Sequence, residues 1–279
     1  MNHVFQTPIF KVKDGKRTVH MDFLAVEEPM EIRLGFGAKM ERQQKSISVT
    51  MRTVGNDFEL ALGFLFTEGI IQSYDDVYSI KHCVDAGKQG ANENIVRVEL
   101  QEDVSLNLSN LERNFYTTSS CGVCGKASID AIKVHCPLKI PKNTPAFSSE
   151  LIHELPDKLR QKQAIFEHTG GLHAAALFDT NGNVLMMRED VGRHNAMDKL
   201  IGATLLKKML PLSNYLVLLS GRSSFELVQK AWVSGVGIVA AVGAPSSLAV
   251  QLAREAEMTL LGFVRQQRFN IYSGEWRIV

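Results

Sequence analysis

Two cysteines spaced C-x-x-C, Cys121 and Cys124, lie in the run Thr117-Thr118-Ser119-Ser120-Cys121-Gly122-Val123-Cys124-Gly125. Residues this small do not suit a core strand, and residues 127–134 read as helical, so the pair is expected in a loop leading into a helix. The positive end of a helix dipole lowers a thiol pKa, and the thiolate is the reactive form of cysteine. Gly122 and Gly125 leave the sulfur sterically open, which suits a thiol that must meet both a donor and an acceptor.

The pair alone does not select one chemistry: a half zinc site, a thioredoxin-like dithiol and two small hydrophobes also account for it. A structural zinc needs four ligands, and Cys83, Cys136, His82 and His135 form no second well-spaced unit, so no metal is expected. Zinc deaminases precede the first cysteine with proline and carry an upstream H-x-E; here Ser120 stands before Cys121 and H-x-E is absent from the chain. A dithiol oxidoreductase remains open.

A second set of chemistry-bearing residues falls between predicted strands and helices. Glu189-Asp190-Val191-Gly192-Arg193-His194-Asn195 is one; capping explains Asp190 and Asn195, but not Arg193 beside His194. Ser220-Gly221-Arg222-Ser223-Ser224 offers amides, hydroxyls and a guanidinium to a phosphate, without the lysine of a P-loop. Gly243-Ala244-Pro245-Ser246-Ser247 repeats the pattern, with Ser246 also readable as an N-cap. Phe263-Val264-Arg265-Gln266-Gln267-Arg268 supplies two arginines for phosphate and an aromatic ring for a base, or else a solvated basic loop. His168 and His173 flank a Gly-Gly pair at a spacing unlike that of a helical metal site and are read as lining a site. Three small polar strand ends of this kind could line one nucleotide-sized cleft.

The elements that must position these groups are legible from periodicity. Strands are expected over 19–26, 30–34 and 46–54, then a helix over 57–66 capped by Asn56 and stopped by Gly69, then strands over 77–83 and 95–100. A proline-punctuated connection over 137–145 leads to a helix capped by Ser148 or Ser149. Beyond it, strands over 174–178, 184–187, 215–219, 236–242 and 260–264 alternate with helices over 196–208, 225–233 and 247–256, which argues a layered α/β domain with parallel strand neighbours. The division expected is a β-rich N-terminal part over 1–136 and an α/β domain over 146–279. Residues 1–16 and the tail after Ser273 carry no assignable feature.

Composition excludes several classes. With 45% hydrophobic and 22% charged residues and 31 basic against 30 acidic side chains, the 279-residue chain is balanced and carries no basic domain for a nucleic acid. No stretch reaches the roughly 18 apolar residues of a membrane span, and four cysteines do not make a disulfide scaffold; the expectation is a cytoplasmic protein.

Six ordered segments resemble the FdhD family of formate dehydrogenase accessory sulfurtransferases: residues Ala61 to Ile71 (ALGFLFTEGII), Ser120 to Gly125 (SCGVCG), Thr169 to Ala175 (TGGLHAA), Glu189 to Ala196 (EDVGRHNA), Ser220 to Glu226 (SGRSSFE), and Gly262-Phe263 through Tyr272. The resemblance covers nearly the whole chain beyond residue 20. It implies a cytidine-deaminase-like α/β core without deaminase chemistry, and a homodimer. It also implies that a cysteine desulfurase loads sulfur as a persulfide on Cys121, with Cys124 beside it. The acceptor would be the molybdenum or tungsten bis-guanine-dinucleotide cofactor destined for the formate dehydrogenase apoenzyme. The segment from Phe263 to Arg268 would bind that cofactor, and the polar strand ends with Arg193, His194, Ser220 and Arg222 would hold its phosphates.

Overall fold

The computed structural model describes residues 4–83, 94–104, 140–142, 145–163, 166 and 169–279. Its strands are β1 (Val4–Lys13), β2 (Lys16–Ala25), β3 (Glu27–Phe36), β4 (Gln43–Thr53), β5 (Val77–His82), β6 (Ile95–Leu100), β7 (His173–Phe178), β8 (Val184–Asp190), β9 (Leu216–Leu219), β10 (Ile238–Ala241), β11 (Thr259–Arg265) and β12 (Arg268–Ser273). Its α-helices are α1 (Asp57–Thr67), α2 (Ser149–Lys162), α3 (Arg193–Leu206), α4 (Phe225–Val233) and α5 (Ser247–Glu255).

The C-terminal part is built on a six-stranded sheet of order β12-β11-β10-β9-β7-β8. Strands β9, β10 and β11 run parallel, as expected of strands joined through helices. The expectation of parallel neighbours fails at β7–β8 and β11–β12, which are antiparallel because their connections are too short for a crossover, and β7 is also antiparallel to β9. Alternate residues of each strand face opposite layers. Ala174, Ala176, Leu218 and Ala240 pack with Ile152, Leu155 and Leu159 of α2. Ala175, Leu177, Val217 and Val239 pack on the other face with α3, α4 and α5.

The N-terminal part contributes a four-stranded sheet of order β4-β3-β6-β5. Its inward side chains Met30, Ile32, Leu34, Val96 and Val98 belong to the same buried cluster as α1, α3 and the large sheet, so the two parts of the chain share a core. The layered α/β architecture of cytidine-deaminase-like type with an added β-rich N-terminal part is the one the sequence led us to expect.

The join between the parts is the crossing of α1 and α3. A Cβ on Gly63 would stand 1.9 Å from the Asp198 carbonyl oxygen, and one on Gly202 1.9 Å from the Glu59 carbonyl oxygen. The helices therefore touch backbone to backbone. The crossing is held by Arg188 of β8, whose guanidinium donates to both Glu59 carboxylate oxygens at 2.5 and 2.6 Å. It is held also by buried Lys230, which reaches Asp198 at 2.9 Å and Thr67 Oγ1 at 2.8 Å. Burial opposes the charge of Lys230, but Asp198 and Glu68 outweigh it and hold its pKa above the ordinary lysine value.

Two local expectations change and one holds. Asn56 stands at the N-cap of α1 but with φ 56°, and its side chain makes no cap bond; a left-handed residue there turns its side chain away from the first-turn amides. Gly69 does stop the helix: with φ 71° it lets its own N–H reach the Phe66 carbonyl and that of Ile70 reach the Leu65 carbonyl. Residues 4–25, in part unassigned from sequence, form a ten-pair antiparallel ribbon that no other strand among the described residues joins.

Candidate functional site

The strands β9 and β10 end side by side at Leu219 and Ala241, and the loops that follow are laced together through the backbone. Gly243 N–H donates to the Gly221 carbonyl at 2.9 Å, Ser223 N–H to Ala244 at 3.2 Å, Ser246 N–H to Ser223 at 3.0 Å, and Phe263 N–H to Gly243 at 3.1 Å. Because β7 runs opposite to β9, its first residues reach the same edge: Ser220 N–H donates to the Ala174 carbonyl at 2.9 Å, and Ser220 Oγ accepts from Ala174 N–H at 2.8 Å. A Cβ on Gly243 would lie 3.0 Å from the Arg222 amide nitrogen, so this close approach needs glycine. The strand ends picked out in the sequence therefore converge at one edge, where α/β folds place ligands.

The Glu189-to-Asn195 segment divides into a buried structural set and a half-buried pair, Arg193 and His194. Asp190 is fully buried; Oδ2 accepts from the Thr53 amide at 3.1 Å and pairs with Lys199 Nζ at 2.7 Å. Its Oδ1 accepts from Gly192 N–H at 2.8 Å and Asn195 Nδ2 at 3.0 Å. Asn195 Nδ2 also donates to the Met51 carbonyl at 2.8 Å, and Lys199 to that of Thr53 at 2.7 Å. These groups clip β4 of the small sheet to α3 of the large domain. Capping was too small a role for Asp190 and Asn195.

Arg193 and His194 lie in the first turn of α3, at the same end of the sheet. Arg193 and Arg222 have no ion pair or hydrogen bond among the described residues. His194 Nε2 lies 3.4 Å from Ser224 Oγ and 3.8 Å from Glu226 Oε2. The Glu226 carboxyl is pulled down to about 2, first by its hydrogen bond with His194, which outweighs the opposing effect of burial, and then by Ser224 and its own amide. His173 opens β7 between these groups; its Nδ1 lies 3.2 Å from where a Gly221 Cβ would stand. Burial, then the charges of Arg193, His194 and Arg222, hold its pKa below the ordinary imidazole value, with Asp190 opposing.

A cavity of about 420 Å³ opens beside His173 and Ser220, walled by Leu159, Arg160, Gln163 and Phe166. The Arg160 guanidinium lies over the Phe166 ring at 4.1 Å. Nothing in the sequence marks Arg160 or Phe166 as site residues, because a basic residue in a last helical turn is also the ordinary complement of a helix dipole.

The expected cofactor segment is the end of the β11–β12 hairpin. Phe263, at φ 54°, bulges the strand between Gly262 and Arg265, and its ring is 37% exposed. Val264 is a correction: it is fully buried in the α2-side core, so its side chain is not open to a ligand. Gln266 Nε2 donates to Asp157 of α2 at 2.8 Å, tying the hairpin to that helix. Arg265, Gln267 and Arg268 are exposed, with Arg265 and Arg268 paired across the hairpin. Ser246 caps α5, its Oγ accepting from Ala249 N–H at 3.2 Å.

Cys121, Cys124, Cys136 and His168 lie outside the described residues. Among the described residues no group of three or more His, Cys, Asp or Glu could hold a metal ion, and no helix is long and apolar enough to cross a membrane.

Known proteins agree with this architecture. A protein from Streptomyces avermitilis named sulfur carrier protein FdhD is 48% identical over 272 residues, covering 97% of this chain and 94% of the other. Its namesake from the archaeon Sulfurisphaera tokodaii is 41% identical and covers 99% of both chains. The crystal structure of a candidate formate dehydrogenase accessory protein from Desulfotalea psychrophila superimposes over 100% of both chains with a TM-score of 0.75 at 22% identity, which shows a common fold. The model of the FdhD/NarQ family matches residues 25–279, and the chain belongs to that family.

Proposed function

We infer that this protein is a sulfur carrier required for formate dehydrogenase. Cys121 takes the outer sulfur of a persulfide on a cysteine desulfurase and yields it to the molybdenum or tungsten bis-guanine-dinucleotide cofactor before the apoenzyme receives that cofactor. Near full-length similarity to named sulfur carriers, across bacteria and archaea, is the observation that carries this reading.

The loading step is a thiol exchange. The Cys121 thiolate attacks the outer sulfur of the donor's S–S bond, that bond breaks, and the donor leaves as thiolate while the transferred sulfur keeps its proton. No net oxidation occurs. Delivery would break the new S–S bond as the acceptor supplies an electron pair to the outer sulfur, forming the sulfur–acceptor bond while Cys121 leaves as thiolate. The strand-end edge would meanwhile hold the acceptor: Arg193, Arg222, Arg265 and Arg268 suit pyrophosphate groups, and Phe263 a base. Binding at that edge would hold a large anion through its phosphates, with no metal-ligand cluster needed among the described residues.

The test is intact-mass spectrometry after incubation with a cysteine desulfurase and cysteine. Wild type is expected to gain one sulfur atom that a reductant removes, and Cys121→Ala to gain none. Wild type staying unmodified beside a competent donor would overturn the carrier role in favour of a cofactor-presenting protein or a dithiol enzyme. Cys124→Ala separates the last of these: a carrier still loads on Cys121, whereas a dithiol enzyme loses its reversible disulfide.

A further inference from the structure

The cationic edge contains a group that the persulfide chemistry does not use. His173 is half-buried where β7 meets the loop after β9, and neither of its ring nitrogens has a hydrogen-bond partner among the described residues. Two arginines from other elements, Arg193 at the start of α3 and Arg222 between β9 and α4, are likewise without an acidic partner there. Unpaired guanidinium groups and an unsatisfied imidazole gathered at one strand end are what an anion would complete.

The surroundings fix which member can change its charge. From β8, Asp190 faces His173, but its carboxylate is already occupied by Lys199, Asn195 and the Thr53 and Gly192 amides. From α3 come Arg193 and His194, the latter turned toward Glu226. From the β9–α4 loop comes Arg222. From α2, Arg160 walls the same cavity, stacked on Phe166. The nearby charge that reaches His173 is thus mostly positive, and its two arginine neighbours, Arg193 and Arg222, do not lose a proton as readily as an imidazole.

We propose that His173, Arg193 and Arg222 form one phosphate-binding triad in which His173 is the proton-linked member, neutral in the free protein and protonated when a pyrophosphate seats on the edge. This rests on the reading of the edge as the cofactor site and adds its regulation. In the free protein the proton is disfavoured first by burial and then by the neighbouring positive charge of Arg193 and Arg222, with Asp190 opposing. An anion between the arginines offsets those cations, so solvent supplies a proton to the imidazole, which then donates a further hydrogen bond to the phosphate oxygen. The sign follows from linkage: the bound state holds one proton more, so affinity rises as pH falls through the window between the bound and free pKa values of His173, and levels off below it. A carrier built this way grips its cargo more tightly in slightly acid solution and releases it as pH rises.

The probe is diguanosine pyrophosphate, whose diester linkage lacks the second ionisation near about 6 of a terminal phosphate. Calorimetry in two buffers of unlike ionisation enthalpy counts protons taken up on binding. Wild type is expected to take up a measurable fraction of a proton near neutral pH, and to lose affinity by up to about tenfold per pH unit on raising the pH. His173→Gln is expected to bind with no uptake and a flat pH profile. Arg222→Gln, exposed and remote from the core, is expected to bind more weakly while the His173 ring signal in NMR titrates at higher pH in the free protein. No binding by wild type, binding without proton uptake, or uptake undiminished in His173→Gln would each overturn the triad. Persulfide loading is read separately by mass, so loss of one result leaves the other standing.

Discussion

Asp190 illustrates at the residue scale how a motif can be split between folding and function. Its two oxygens accept from four groups, two of them backbone amides and one an ammonium, with no exposed surface. Taking away the carboxylate strands Lys199 in the core. Asp190→Ala is therefore expected to cost about 3–5 kcal/mol, read as a lowered urea midpoint with an unchanged slope; a loss below about 1 kcal/mol would mean that water enters and replaces it. Arg193→Ala, three positions on and unpaired, leaves that network intact. The sequence showed both residues as polar groups at a strand end and could not rank them, because burial is set by β4, a strand that lies more than a hundred residues earlier. The missing signal was Thr53, whose amide and hydroxyl meet Asp190 and Val191.

At the element scale, the α1–α3 crossing depends on two missing side chains. Gly63 and Gly202 each sit against a carbonyl of the opposite helix at a distance no Cβ can occupy, so Gly202→Ala must push the helices apart or shift α3 along its axis. Overpacking of a core typically costs about 1–3 kcal/mol and more where backbone must move. The expected result is a fall in Tm of several degrees, and Gly63→Ala should do the same. Additivity in the double variant would argue against one shared crossing, since contacting residues couple. The helices themselves were plain from apolar spacing, whereas the cap of α2 was open between Ser148 and Ser149 until the structure placed it at Ser148, and Ser246, read either as a cap or as a site residue, caps α5. What spacing could not disclose was the tight crossing, since glycine inside a helical pattern reads first as a weak point. The antiparallel edge strand β12 was equally hidden, for its residues Arg268, Phe269 and Asn270 look like a basic loop until β11 supplies hydrogen-bonding partners.

At the scale of the whole molecule, the β1–β2 ribbon stands apart. None of its residues enters either buried cluster, and its pairing is with itself. Residues paired across an antiparallel ribbon share a face, and one face brings together Phe10 with Val19, Pro8 with Met21, and Phe23 beside Gln6; Phe10, Val19 and Met21 are each more than half exposed. An exposed apolar strip of this kind contributes nothing to the core on which global stability depends, and the family's shared region begins only at residue 25. Removing residues 1–24 should therefore leave the urea midpoint nearly unchanged, within about 0.5 kcal/mol, as for surface changes remote from packing. Binding of a hydrophobic dye to the native protein should fall at the same time, because the strip is exposed apolar surface. A loss of more than about 2 kcal/mol would instead mean that the ribbon packs on the body of the protein, and an unchanged dye signal would mean that its apolar face is already covered.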